Sequence, residues 1–325
     1  MNNVHSFIRI LLFCLFFVLL AVMVLYVTGV IYPVADESQS GELTDWMSNI
    51  DGATKISTIN IPGTHDSGTK YIFPAYFLQD QDTSIKNQMN NGFRYFDIRV
   101  SLDKKNDDQL ILIHSFGKCR EGGSIYSSSL KYHDICSDAY QFLKEHPSET
   151  ILFCVKAEND SDDLSVVEKL IEQEVNVVPD KWYVDNRIPT LDESRGRIIL
   201  CRRYEGGYGL NFQWEDQGSA EVLDDPCETI FLNKAETLTV QDRYHYSAED
   251  KWNAVMKSLE NGKSEDHSIN LVFLSASYGK LPHPRSFAKN MNTRFLEEPI
   301  LPGDYGIIVF DFATEKLADK VIKLN

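Results

Sequence analysis

The amino-acid sequence predicts an α/β protein, a (βα)8 TIM-type barrel preceded by an N-terminal transmembrane or signal helix. Three observations predict it. From Lys55 onward, apolar runs of strand length alternate with amphipathic helical stretches, and eight such strands are present. Seven of these runs end in charged residues or a histidine, as expected where strand ends converge on one face. No internal repeat or low-complexity tract marks a second domain in the 325 residues.

The chain divides into residues 1–34, a membrane anchor or signal segment, residues 35–45, a linker, and residues 46–325, the barrel. Between Arg9 and Asp36 there is no Lys, Arg, Asp or Glu, and Ile10 to Tyr32 is nearly all Leu, Phe, Val and Ile. About 20 apolar residues suffice to cross a bilayer. Arg9 before the run and Asp36-Glu37 after it favour an inside amino terminus and an outside body. Pro33-Val34-Ala35 offers a rival signal-peptide reading, but the run exceeds a usual signal core and proline fits the −3 position poorly. An uncleaved anchor is preferred. Either reading puts the body outside the cytoplasm.

The first predicted strand is Ile56–Ile61, where Ile56, Thr58, Ile59 and Ile61 alternate. Pro62 and Gly63 stop it, and Ser67-Gly68 turn the chain again, so His65-Asp66 stands on a stiff turn at a strand end. The remaining strands are Gly92–Val100, Leu110–Ser115, Thr150–Lys156, Arg197–Arg203, Leu238–Asp242, Ile269–Ser275 and Tyr305–Asp311. Helices fall at Ser127–Glu145, Leu164–Gln173, Ala248–Glu260, Phe287–Glu298 and Thr314–Lys323, with a short one starting near Leu43–Met47. Leu164, Val167, Leu170 and Ile171 form the stripe of a surface helix. Ile85–Asn91 and Asn211–Glu236 are less regular.

A formal net charge of −16 argues against nucleic acid and against generic adhesion to anionic lipid, so any grip on a charged headgroup is local. The cysteines show no zinc-type spacing; Cys154 and Cys201 read as core residues, and Cys119 and Cys136 as a pair able to bridge in an oxidising compartment. Cys227 has no evident partner.

The strand-end residues carry the chemistry. They are His65-Asp66, Asp97 with Arg99, His114, Lys156 with Glu158, Arg202-Arg203, Asp242 with Tyr244, and Asp311. Two histidines with carboxylate partners suit moving one proton in and another out near neutral pH. Arginine and lysine beside them suit a phosphate whose charge redistributes in the transition state. The nucleophile elbow G-x-S-x-G is absent, and no dense carboxylate cage for a divalent ion is visible. Metal-free phosphodiester cleavage fits, with an internal hydroxyl of the substrate as a natural nucleophile.

The run Ile59-Asn60-Ile61-Pro62-Gly63-Thr64-His65-Asp66-Ser67-Gly68-Thr69 resembles the signature of the bacterial phosphatidylinositol-specific phospholipase C family, the X-domain type. Four further stretches resemble it in order: Asn87-Gln88-Met89 through Arg99, Ile111–His114, Pro147–Lys156, and Val240-Gln241-Asp242-Arg243-Tyr244. The resemblance implies a distorted, incompletely closed barrel that cleaves phosphatidylinositol, or glycosylphosphatidylinositol anchors, to diacylglycerol and inositol 1,2-cyclic phosphate. His65 would be the general base, oriented by Asp311, and His114 the general acid, assisted by Asp66. Arg99 would hold the phosphate with Asp97 close by, in place of the calcium of eukaryotic relatives, so that no metal and no cofactor is implied. Lys156, Glu158, Arg203, Asp242 and Tyr244 would bind the inositol. The partners implied are the membrane lipid and the membrane itself through the N-terminal helix, with the protein a monomer.

Some residues admit plainer readings. Lys156 and Arg203 also suit structural pairing with strand-end acids, Glu158 a solvated loop, and Tyr244 and Trp214 rim packing. After His114, Ser115-Phe116-Gly117-Lys118-Cys119 departs from the family's usual sequence. A glycerophosphodiester phosphodiesterase needs an early His-Arg-Gly, whereas His65 is followed by Asp66. A non-catalytic, membrane-tethered barrel binding inositol phosphate or glycolipid is the alternative from another class, yet it has no need of both histidines with their acids.

Overall fold

The computed structural model describes residues 2–27, 40–261, 264–279 and 283–325. Helix α1, Asn2–Val27, contains Phe7–Leu25, a 19-residue stretch long and apolar enough to cross a membrane. At 1.5 Å per residue it spans about 28 Å, close to a hydrocarbon core. Residues 28–39, with Pro33-Val34-Ala35 and the first part of the expected linker, lie outside the described residues.

Among the described residues twelve strands form the sheet. They are β1 (Ile61–Thr64), β2 (Tyr95–Asp103), β3 (Asn106–His114), β4 (Gly117–Lys118), β5 (Ile151–Ala157), β6 (Trp182–Tyr183), β7 (Ile198–Arg203), β8 (Leu210–Asn211), β9 (Glu228–Phe231), β10 (Thr237–Gln241), β11 (Ser268–Phe273) and β12 (Ile307–Phe310). Among the described residues the parallel path runs β6-β7-β5-β2-β1-β12-β11-β10, β8 also pairs parallel with β7, and β9 adds antiparallel to β10. β6 and β8 share one edge of β7. Among the described residues no ladder joins that edge to β9, so the barrel is left open there. Helices α2 (Ala75–Leu78), α3 (Ile85–Asn90), α4 (Tyr132–Glu145), α5 (Leu164–Val177), α6 (Leu191–Ser194), α7 (Ala248–Asn261), α8 (Pro284–Glu297) and α9 (Glu315–Ile322) complete the fold.

Two corrections concern the strands. Ile56–Thr58 is a 3-10 turn, and the first strand begins only at Ile61, because the ladder to β12 starts at Ile61↔Ile307. The third expected strand is real but runs antiparallel, as the return arm of a hairpin with β2 (Val100↔Leu112, Leu102↔Leu110). The eighth parallel strand is instead the two-residue β6, too short to show a period. The expected helix Ser127–Glu145 starts at Tyr132. Cys119 and Cys136 are buried free thiols in the outer core.

Alternation along the strands sorts the core into two layers. In β5, Ile151, Phe153 and Val155 face the helices, while Leu152 and Cys154 face the barrel interior. The interior layer also takes Ile61, Tyr95, Ile199, Cys201, Leu238, Val240, Ile307 and Val309. The same parity, carried past the apolar stretch, decides which polar residues enter the mouth.

Candidate active site

Stepping by two from those interior residues leads to His65 from Ile61, Asp97 and Arg99 from Tyr95, and Lys156 from Cys154. It leads likewise to Arg203 from Cys201, Asp242 from Val240 and Asp311 from Val309. Arg202 has the opposite parity and leaves the site, donating to the Tyr204 carbonyl oxygen. Register then sets neighbours. Thr64 pairs with Phe310 and with Phe96, so His65 lies level with Asp311 and Asp97. Arg99 pairs with Lys156, and Lys156 with Arg203, a row of three cations across adjacent strands. His114 arrives from the opposite direction, at the end of the hairpin arm β3. Its presence at the mouth therefore owes nothing to the parallel-strand rule that singled it out.

The three described non-glycine residues with positive φ each follow one of these groups: Asp66 (φ 41°) after His65, Ser115 (φ 53°) after His114, and Phe312 (φ 46°) after Asp311. Such conformations cost on the order of 1–3 kcal/mol each. The left-handed residue turns the chain sharply off the strand and leaves the preceding side chain standing in the mouth.

His65 Nδ1 lies 2.8 Å from Asp311 Oδ1. Its Nε2 lies 2.8 Å from Arg99 Nη2, 3.1 Å from Asp66 Oδ2 and 3.8 Å from Asp97 Oδ2. Arg99 also pairs through Nε with Asp66 Oδ1 at 3.0 Å, through Nη2 with Asp97 Oδ2 at 3.2 Å and through Nη1 with Glu158 Oε1 at 3.3 Å. His114 Nε2 is 3.6 Å from Asp66 Oδ2, and its Nδ1 is 2.9 Å from both the Leu78 carbonyl oxygen and Asp80 Oδ2. The two imidazole centroids are 6.5 Å apart.

Burial opposes ionisation throughout, and the partners decide the outcome. It pushes Asp97 up, but Arg99, His65 and Arg203 outweigh it and hold the carboxyl down at about 2. Glu158 is likewise brought to about 2 against its burial by Arg99 and Lys156. Burial disfavours charge on His114, yet Asp66 and Asp80 raise it to about 9. For His65, burial is outweighed by Asp66 and Asp311, which raise it to about 10. The contact geometry contends with that value. A guanidinium has no lone pair, so Arg99 at 2.8 Å makes Nε2 an acceptor, with the proton on Nδ1 facing Asp311. That contact favours the neutral ring, since protonation would set two hydrogens between those nitrogens.

Farther round the mouth, Lys156 Nζ pairs with Glu158 Oε2 at 2.8 Å. The Arg203 guanidinium lies 3.4 Å over the Trp214 ring, and Trp214 Nε1 donates to Asp242 Oδ2 at 3.3 Å. Tyr244 Oη donates to Asp216 Oδ1 at 2.6 Å. The eleven residues given a role by the resemblance therefore fall at one mouth, while Arg202, the other strand-end cation, does not. Asp80, Trp214 and Asp216 join them from connections without periodicity; only the aromatic at 214 had drawn attention, as rim packing.

Ligand atoms of His65, Asp66 and Asp97, of His65, Asp80 and Asp311, and of Asp66, Asp80 and His114 each come within 4.8 Å. The Arg99 guanidinium contacts all three residues of the first set directly, so a fixed organic cation already stands among them. The arrangement offers two imidazoles suited to proton transfer beside a guanidinium suited to an anion.

The model of the family described as phosphatidylinositol-specific phospholipase C, X domain, matches residues 63–204. The 1-phosphatidylinositol phosphodiesterase of Staphylococcus aureus (strain Newman) is 30% identical over 272 residues, covering 75% of this chain and 79% of that protein. This chain belongs to the phosphatidylinositol-specific phospholipase C family. The 1-phosphatidylinositol phosphodiesterase of Listeria monocytogenes is 25% identical over 298 residues, 86% of this chain and 84% of the relative. A solved structure of the S. aureus phosphatidylinositol-specific phospholipase C superposes with a TM-score of 0.74 at 24% identity, covering 89% of this chain and 99% of that one. The L. monocytogenes enzyme gives 0.67 at 24% identity over 87% and 98%. These likenesses support the barrel fold. The family match holds His65 through Arg203, while Asp242, Tyr244 and Asp311 lie beyond it.

Proposed function

We infer that this chain is a phosphatidylinositol-specific phospholipase C that works without a metal ion. One observation carries the reading: two imidazoles 6.5 Å apart, each with its own carboxylate at Nδ1, flank a guanidinium held by three carboxylates. The family membership agrees with it.

In the proposed reaction the inositol 2-hydroxyl oxygen attacks phosphorus as His65 Nε2 takes its proton. The bond from phosphorus to the glycerol oxygen breaks, and His114 Nε2 gives that oxygen a proton, releasing diacylglycerol. The cyclic phosphodiester remains, and proton exchange with water returns both rings to their starting states. Arg99 turns from His65 Nε2 toward the phosphate, which frees the base and neutralises the growing charge. Lys156, Glu158, Arg203 and Asp242 bind the inositol hydroxyls, and Tyr244 packs against the ring. Asp66 links the two halves, 3.1 Å from one histidine and 3.6 Å from the other.

We also propose that α1 anchors a monomeric barrel whose body, residues 46–325, lies outside the cytoplasm. The substrate is the membrane lipid, either phosphatidylinositol or a glycosylated anchor built on it. The test is phosphorus NMR of the full chain with phosphatidylinositol micelles and a chelator. A new cyclic phosphodiester signal is expected. A non-cyclic product alone would mean direct attack by water, and an unchanged lipid signal with folded protein would favour a binding-only barrel.

A further inference from the structure

We propose that Asp80 is the positioning residue of the general acid, its carboxylate stabilising the protonated His114 ring that delivers a proton to the leaving alcohol. This rests on the phospholipase C reading above. Asp80 lies in the connection between α2 and α3 and is buried, 2% exposed. Its Oδ2 stands 2.9 Å from His114 Nδ1.

The backbone around it is braced to both sides of the site. The Asp80 amide donates to Thr69 Oγ1 at 3.0 Å, and its carbonyl accepts from the Phe312 amide at 2.6 Å. Gln81 Nε2 donates to the carbonyl oxygens of His65 and Phe310, each at 2.8 Å. The carboxylate is thus fixed relative to the strand ends carrying His65 and Asp311.

Its role is electrostatic and not tautomeric. The Nδ1 hydrogen of His114 is already accepted by the Leu78 carbonyl oxygen at 2.9 Å, which fixes the tautomer without Asp80. What Asp80 adds is a negative charge beside the ring in a buried site, where charge acts strongly. The other groups facing His114 are Asp66 at Nε2, Arg99, Glu158, which accepts from the Ser115 amide, and His65. Asp66 and Glu158 share their charge with Arg99. Asp80 approaches from the Nδ1 side, opposite Asp66. Burial and Arg99 press the ring toward neutrality, and the two aspartates reverse that.

A general acid matters most when the leaving alcohol is basic and least when the leaving group is already a stable anion. The full chain and Asp80→Asn are therefore compared on phosphatidylinositol micelles and on an inositol nitrophenyl phosphodiester. We expect the variant to lose at least about tenfold more kcat on the lipid than on the aryl ester. The alkaline limb of its lipid kcat profile should move at least about one pH unit lower, because His114 acts only while protonated. The His114 ring titration, followed by NMR, should move the same way. Asp80→Glu, which keeps the charge, should restore the limb toward that of the parent. Equal losses on both substrates, or an unmoved limb with an unmoved ring titration, would overturn the proposal. So would an Asp80→Glu profile identical to that of Asp80→Asn. If the parent forms no cyclic product, the phospholipase reading fails, while the His114 titration still decides the role of Asp80.

Discussion

Arg99 Nη2 donates to His65 Nε2 across 2.8 Å, on the opposite side of the ring from the 2.8 Å contact between Nδ1 and Asp311. In the proposed mechanism this holds the base neutral and correctly tautomeric, with its working nitrogen covered by the group proposed to bind phosphate. On that proposal, an arriving anion that draws the guanidinium away would uncover the base at the moment substrate is present.

His65→Ala and His114→Ala are each expected to remove about 10²–10⁴-fold of turnover. Circular dichroism should show both variants folded. Near-parental rates from either folded variant would disprove the acid–base assignment.

Arg99 is expected to resist replacement by lysine. It reaches Asp66, Asp97 and Glu158 through three different nitrogens, a fork that an ammonium cannot reproduce. Arg99→Lys should lower kcat by about 10²–10³-fold. The parent should keep its full rate in excess chelator. Activity lost there and returned by calcium would refute metal independence.

Glu158 provides a pH test with a definite sign. Its folded value of about 2 lies below the ordinary 4.5, so its charge stabilises the fold above that ordinary value and the contribution fades as pH falls toward 2. Denaturant titrations of the parent and Glu158→Gln should differ most above pH 4.5 and converge near pH 2. A gap that stays constant across this range would count against the pairing. On the alkaline side, kcat should fall above about pH 9 as His114 loses its proton.

Trp214 holds Arg203 by its face and Asp242 by its N–H. A cation–π contact of this kind is worth about 0.5–2 kcal/mol, so Trp214→Ala should lower kcat/KM by roughly 2- to 30-fold. The loss is expected mainly in KM, since neither held residue transfers a proton. Trp214→Phe should recover the part due to the stack. An effect confined to kcat would reassign the tryptophan.

Much of this was legible in the sequence because it is periodic. Strand alternation names the interior face, and the residues that continue its parity beyond the apolar run are the ones that gather at the mouth. His65, Asp97, Arg99, Lys156, Arg203, Asp242 and Asp311 all follow that rule, and the long α5, α7 and α9 stand within a few residues of their expected places. The N-terminal apolar segment was equally plain from length and composition.

Other features depend on contacts distant in sequence, and only the tertiary structure decided them. The apolar alternation at 56–61 was that of a buried 3-10 turn, since a strand exists only where a partner ladder begins. The direction of β3 follows from its pairing with β2, and local pattern is the same for either direction. The open edge beside β9 and the two-residue β6 likewise leave no periodic trace. Asp80 is 34 positions from His114, in a polar connection where nothing local sets it apart from Asp82. The sequence by itself determined which side chains of the parallel strands enter the mouth, because pleat parity is a local property. Which carboxylate meets which nitrogen was decided by register, hairpin direction and left-handed turns, which come into being only when distant segments pack.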